Sequence, residues 1–176
     1  IPMTSDLTWL HLSALHYCDP STGWDARNVR LSMLDDLKKL ADDPSVRLRP
    51  DLIFFTGDLG FGVVGNKPGE ALIEQFETGH AFLDRIRKVF EPEIPLSNVF
   101  IVPGNHDVNR NLVTKDQTFW LDAHSHEEIT ELIKSANLQW RRNMERLEDY
   151  KNFLQSKGYH HLLQNPVRLI YAQCRD

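Results

Sequence analysis

The sequence has little cysteine, no long apolar run and no excess of positive charge. The spacing of Cys18 and Cys174 fits neither a metal site nor a disulfide framework, which favours free thiols in a reducing compartment. No apolar stretch approaches the roughly 18 residues of a membrane span. Twenty basic against 25 acidic residues give a net charge of −5, so there is no general positive surface for nucleic acid. We therefore expect a cytoplasmic protein without membrane association.

The length is sufficient for one globular domain. Of the 176 residues, 41% are hydrophobic and 26% are charged, a composition that supports a buried core. No internal repeat or low-complexity segment divides the chain, so we expect a single domain over residues 1–176. Ile1 and Pro2 stand before Met3 and are expected to be a cloning remnant.

Three short apolar runs each end in a loop that carries metal-binding side chains. The runs are residues 7–12, 51–56 and 99–103. The loops behind them contain, in chain order, His16, Asp58 and the tetrapeptide Gly104-Asn105-His106-Asp107. Because ligands of open α/β sheets gather at the carboxyl ends of strands, we expect the three loops to converge.

The last of these loops holds the chemical groups of a hydrolytic metal site. Asn105 offers an amide oxygen, His106 an imidazole and Asp107 a carboxylate. An oxygen ligand, an acid or base and a group to orient it are what metal-assisted hydrolysis needs. The alternative is a Gly-Asn turn with incidental polar neighbours. The two similar loops upstream favour the functional interpretation.

The segments between these loops predict crossover helices. Apolar residues recur at three-and-four spacing from Val29 to Leu40 and again from Leu72 to Phe90. Such strand–helix–strand units place strands in parallel with right-handed crossovers. A later stripe from Trp140 to Leu154 predicts another helix, and residues 167–172 predict another strand. The fold class is α/β.

In their order and strand-end positions, the motifs resemble those of the calcineurin-like metallophosphoesterase superfamily. That family has Asp-x-His, Gly-Asp and Gly-Asn-His-Asp/Glu after its first three strands. Residues 10–16, 55–58 and 102–107 match in order. The string from Pro103 to Arg110 is most similar to predicted bacterial phosphohydrolases, in which the domain is often the N-terminal module of a larger protein. The resemblance implies a mixed central sheet flanked by helices.

The same resemblance implies a role for each matching residue. His16 would bind the first metal ion and Asp58 would bridge two ions, while Asn105 would bind the second. His106 would stabilise or protonate the leaving oxygen, and Asp107 would orient His106. The implied cofactors are two divalent ions, with manganese first and iron, zinc or cobalt as alternatives.

Ala14 departs from the family pattern, because the family has an aspartate at this position. A methyl group cannot bind a metal, so the first site loses a charged ligand. His11, Ser13 and His16 still fit the motif. Because the residues around position 14 still fit the motif, an engineered Asp→Ala inactivation is favoured over a natural loss.

The Gly-His-x-His motif of the family is also absent from the sequence. The nearest approach, His124-Ser125-His126, is better read as the cap and first turn of a helix. His80, His160 and His161 are predicted to be packing or surface residues. The remaining ligands are expected on sequence beyond Asp176, so the fold would be incomplete at the C-terminus and further domains could follow.

The expected function is metal-dependent hydrolysis of a phosphoester, by a phosphodiesterase or nuclease with a dinuclear centre. By analogy with the family, phosphodiesters such as nucleic acid or cyclic nucleotides come first, phosphomonoesters next and phosphoproteins last. Asn109 and Arg110 are candidates for phosphate contact, with a solvated helix start as the alternative. The competing hypothesis is a catalytically dead module that binds phosphate or docks a partner.

Overall fold

In the part of the chain that the structure describes, three short strands form a parallel sheet. The computed structural model describes residues 6–16, 23–46, 48–63, 71–167 and 169. Strand β1 spans Trp9–Leu12, β2 spans Leu52–Thr56 and β3 spans Val99–Val102, in the order β1-β2-β3. In the register, Ile53 pairs with Leu10 on one side and Val99 on the other. All three strands therefore end at one edge of the sheet, as the sequence predicted.

Both predicted crossover helices are present. Helix α1 spans Gly23–Asp42 and α2 spans Leu72–Arg87, and each connects two neighbouring parallel strands. Helix α2 buries its apolar stripe, including Phe76 and Ile86. The stripe of α1 is only partly buried, since Leu37 lies in the core whereas Val29 is 68% exposed. The α/β class, with a central sheet flanked by helices, is confirmed.

Within the described ranges, four helices follow the sheet. They are α3 (Lys115–Asp122), α4 (His126–Ser135), α5 (Leu138–Met144) and α6 (Glu148–Ser156). Short 3-10 turns span Leu96–Asn98, Arg110–Leu112, Glu145–Leu147 and His160–Leu163.

The predicted single helix from Trp140 to Leu154 is wrong, because the turn Glu145–Leu147 separates α5 from α6. The interruption coincides with contacts outside the helical ladder. The Arg146 carbonyl accepts the backbone N–H of Asn109 at 2.9 Å, and the Arg146 guanidinium donates to the Asn143 carbonyl at 2.7 Å. The contact between Asn109 and Arg146 joins residues that are distant in the sequence and therefore leaves no periodic signal there.

Two buried tyrosines and two half-buried histidines connect the last helices to the core. The Tyr150 hydroxyl donates to the Ile101 carbonyl of β3 at 2.9 Å, and burial raises the pKa of Tyr150 well above its ordinary value. His161 Nε2 contacts the Val99 carbonyl at 2.9 Å, and His80 Nδ1 lies 3.0 Å from the Tyr159 hydroxyl. The packing role predicted for these two histidines is confirmed.

Several sequence predictions fall on residues outside the described part of the chain. Cys18, Cys174, Ile1 and Pro2 lie there, as does most of the predicted strand over residues 167–172. Val167 itself is in a turn. Among the described residues, no helix is long and apolar enough to cross a membrane.

Candidate metal centre

Three side chains from three separate strand ends meet at one point. His16 follows β1, Asp58 follows β2 and His106 follows β3. Each offers one ligand atom within 4.8 Å of the others. His16 Nε2 lies 3.8 Å from Asp58 Oδ2, and the His16 and His106 rings meet edge to face at 4.7 Å. The predicted convergence of the loops is confirmed for these three residues.

The backbone of the first two loops continues the parallel pairing of the strands. Ala14 N–H donates to the Gly57 carbonyl at 3.0 Å, and His16 N–H donates to the Asp58 carbonyl at 2.9 Å. Ala14, His16 and Asp58 have φ angles of 55°, 45° and 60°. Non-glycine residues adopt this left-handed region uncommonly, and such strain concentrates at functional sites.

Asp58 is held in place by the third loop. Its Oδ1 accepts the His106 backbone N–H at 3.0 Å, which leaves Oδ2 beside His16. A Cβ atom at Gly104 would lie 2.2 Å from Asp58 Oδ1 and 2.5 Å from Asp58 N. Only glycine fits at position 104 while Asp58 keeps this position.

Asp107 connects the loop behind β2 to the loop behind β3 through hydrogen bonds. It is 1% exposed and accepts N–H groups from Asp58, Leu59, Gly60 and Gly104 at 2.8 to 3.2 Å. Burial raises the pKa of the Asp107 carboxyl, and these four hydrogen bonds act against that rise. Asp107 therefore acts as an acceptor that fixes loop geometry.

The expected pairing of Asp107 with His106 is wrong. His106 Nδ1 instead faces the Phe61 carbonyl at 2.5 Å. A carbonyl only accepts, so Nδ1 donates to it, and Nε2 is the ring nitrogen left to bind a metal or to exchange a proton. The sequence could not reveal this contact, because any residue at position 61 supplies a carbonyl. Phe61 is the site residue that sequence reasoning missed.

In the part of the chain that the structure describes, Asn105, Asn109 and His124 make no hydrogen bond with His16, Asp58 or His106. Asn105 is exposed, and its side chain has no hydrogen bond with any residue that the structure describes. Asn109 Nδ2 donates to Asp149 at 2.8 Å instead of facing the cluster. His124 Nδ1 contacts the Trp120 carbonyl at 2.5 Å.

The predicted helix start after His124 is confirmed. The side chain of Ser125 accepts the Glu128 backbone N–H, and Glu128 reaches back to the Ser125 N–H. His126 is the first residue of α4. Both histidines are therefore explained by local helix structure.

The cluster fits a divalent transition metal. Two imidazoles and one carboxylate form a nitrogen-rich donor set that suits zinc, iron, manganese or cobalt better than calcium. His106 offers Nε2 as the third ligand atom of the cluster. The sequence had predicted His106 to be an acid and not a ligand.

The family assignment agrees with this geometry. The family model described as calcineurin-like phosphoesterase matches residues 7–169, a range that includes all three strand ends. No curated protein matches the chain. The match covers nearly the whole sequence, and the chain belongs to the calcineurin-like phosphoesterase family.

Proposed function

We propose that this metallophosphoesterase domain hydrolyses phosphodiesters at the cluster of His16, Asp58 and His106. The observation that carries the proposal is the meeting of three ligand atoms within 4.8 Å at the ends of three parallel strands. Two imidazoles and a carboxylate at this spacing suit a metal that activates water and shields phosphate charge. Family membership supports a metal-dependent phosphoester hydrolase.

The proposed metal ligands are His16, Asp58 and Asn105. His16 and Asp58 hold the first divalent ion, and manganese is proposed ahead of iron, zinc or cobalt. Asn105 is the proposed ligand of a second ion, since its exposed amide lies next to His106 in the third loop. Asp58 is proposed to bridge the two ions, because it has two oxygens and one of them lies 3.8 Å from His16 Nε2.

His106 is the proposed acid that assists the leaving oxygen. Its Nδ1 is held by the Phe61 carbonyl, so Nε2 is the atom that exchanges protons with the substrate. Asp107 is proposed as a positioning residue, because its four backbone hydrogen bonds set the loop that carries His106. The alternative role of His106 Nε2 is metal ligation.

Ala14 supports the proposal that this chain has little activity. Its methyl group gives no ligand beside His16, and alanine is unfavourable at a φ of 55° whereas aspartate tolerates that region. The same residue is the best support for the second candidate function, a phosphate-binding or partner-docking module without catalysis.

Nucleic acid and cyclic nucleotides are the proposed phosphodiesters, ahead of phosphomonoesters and phosphoproteins. This order comes from the family resemblance.

Replacing Ala14 by aspartate in the full-length protein should restore metal-dependent activity. The new carboxylate adds charge and a ligand atom next to His16, so metal content per chain should rise. Manganese-stimulated hydrolysis of bis(p-nitrophenyl) phosphate should appear with it. Ala14→Asn is the matched control, because asparagine suits the same backbone conformation without the charge. Metal content and activity equal to the parent's in Ala14→Asp would favour the docking module.

Asp58→Ala in the Ala14→Asp background should abolish the hydrolysis. The substitution removes the carboxylate of the cluster, so bound metal measured by mass spectrometry should fall with the activity. Asp122→Ala, at an exposed position at the end of α3, is the control and should keep both. Activity within a few-fold of the background enzyme would show that Asp58 is not part of the active site.

His106→Ala in the same background distinguishes an acid from a ligand. As an acid, His106 contributes about a hundredfold to turnover while the metal stays bound. A substrate with a leaving group of low pKa should recover part of the loss, because that group departs without a proton. Loss of the metal would instead make His106 a ligand.

Asp107→Asn should destabilise the fold and weaken metal binding together. The amide places an N–H group against backbone N–H donors, and each buried donor left unpaired costs about 1–3 kcal/mol. Urea unfolding measures the stability and dialysis against manganese measures the affinity. Asp122→Asn is the exposed control. A variant as stable as its parent would show that Asp107 does not hold the loops.

A further inference from the structure

A buried glutamine of α2, Gln75, binds the main chain of the loop behind β2. Gln75 is 4% exposed and makes three hydrogen bonds with two adjacent residues of that loop. Its Oε1 accepts the N–H groups of Phe61 and Gly62 at 2.9 and 3.0 Å, and its Nε2 donates to the Gly62 carbonyl at 3.2 Å. The two N–H donors fix the assignment of the amide atoms, because an amide nitrogen could not accept them.

Five consecutive N–H groups of this loop are accepted by two side chains. The Asp107 carboxylate accepts those of residues 58–60, and Gln75 Oε1 accepts those of Phe61 and Gly62. The loop is largely buried, where an N–H group without an acceptor is costly. Asp107 therefore fixes the half of the loop that carries Asp58, and Gln75 fixes the half that carries Phe61.

The half of the loop that Gln75 holds lies against His106. The Phe61 carbonyl accepts from His106 Nδ1 at 2.5 Å, and the two rings lie 5.8 Å apart between centroids. A Cβ atom at Gly62 would lie 3.0 Å from the His106 carbonyl oxygen and 3.5 Å from Nδ1, so the main chain at Gly62 runs close to this histidine. These contacts depend on where the main chain stands, and the hydrogen bonds from Gln75 set that position.

We propose that Gln75 is a positioning residue for His106. By fixing the main chain of Phe61 and Gly62, Gln75 keeps the Phe61 carbonyl on His106 Nδ1 and leaves Nε2 for the cluster. The catalytic use of this positioning rests on the proposed function, whereas the hydrogen-bonded state of the His106 ring does not. A role of Gln75 in loop stability alone would leave that state unchanged when Gln75 is replaced.

The test is the tautomer of His106 in a Gln75→Met variant of the full chain. Methionine is similar in length but offers no strong acceptor, so Phe61 and Gly62 lose their partner. Nitrogen NMR in alkaline buffer with EDTA, where an imidazole carries one proton, shows which ring nitrogen is protonated. The parent should carry the proton on Nδ1, and in Gln75→Met the ratio of the Nε2–H form to the Nδ1–H form should rise about tenfold, the scale of one hydrogen bond. The His106 signals are assigned by their loss in His106→Gln.

Two further variants separate positioning from stability. Gln75→Glu keeps an oxygen acceptor for both N–H groups and loses the donor to the Gly62 carbonyl, so His106 should remain mainly in the Nδ1–H form. Ile86→Val is the matched control, because it removes one methylene from the core about three turns further along α2 and leaves the hydrogen bonds of Gln75 in place. Ile86→Val should lower the stability to urea without changing the His106 spectrum.

The proposal is overturned if folded Gln75→Met keeps the parent tautomer of His106, or if Ile86→Val changes the tautomer equally. Gln75→Asn, whose amide is one methylene too short to reach the same atoms, gives the same test if methionine prevents folding. In the full-length Ala14→Asp protein, Gln75→Met should lower kcat about tenfold on a phosphodiester with an alkyl leaving group, with metal content and KM within twofold of the background. A changed tautomer without hydrolysis by any Ala14→Asp protein would reject the proposed function alone.

Discussion

The carboxylate of Asp107 accepts backbone N–H groups from three consecutive residues behind β2 and from Gly104 behind β3. These bonds hold the loop of Asp58 against the loop of His106 in a buried setting, where unpaired amides would be costly. Asp58 then bonds the His106 backbone, and its own carbonyl accepts the His16 N–H. The position of every cluster residue follows from this one buried acceptor.

The sequence predicted the three strands and their convergence because both have local signals. Apolar runs of four to five residues and helical periodicity between them identify strand–helix–strand units. Parallel strands then force the loops behind them to one edge of the sheet. His16, Asp58 and His106 could be chosen in this way without coordinates.

Contacts made by backbone groups could not be predicted from the sequence. Phe61 orients His106 through its carbonyl, and Asp107 binds four amides rather than the neighbouring imidazole. The turn between α5 and α6 coincides with a bond from Asn109 to the Arg146 carbonyl, 37 positions away along the printed sequence. Each of these interactions uses groups that nearly every residue type carries, so residue identity alone gives no indication of them.

The close approach of two glycines limits how this site can vary. A Cβ at Gly57 would lie 3.0 Å from the Cα of Gly104, and a Cβ at Gly104 would meet Asp58 itself. The loops behind β2 and β3 thus touch main chain to main chain at this point. A smaller neighbouring side chain would not make room at either glycine, because a Cβ at Gly57 meets only backbone atoms and a Cβ at Gly104 also meets the Asp58 backbone nitrogen at 2.5 Å. In a library of variants, few substitutions should therefore be tolerated at positions 57 and 104.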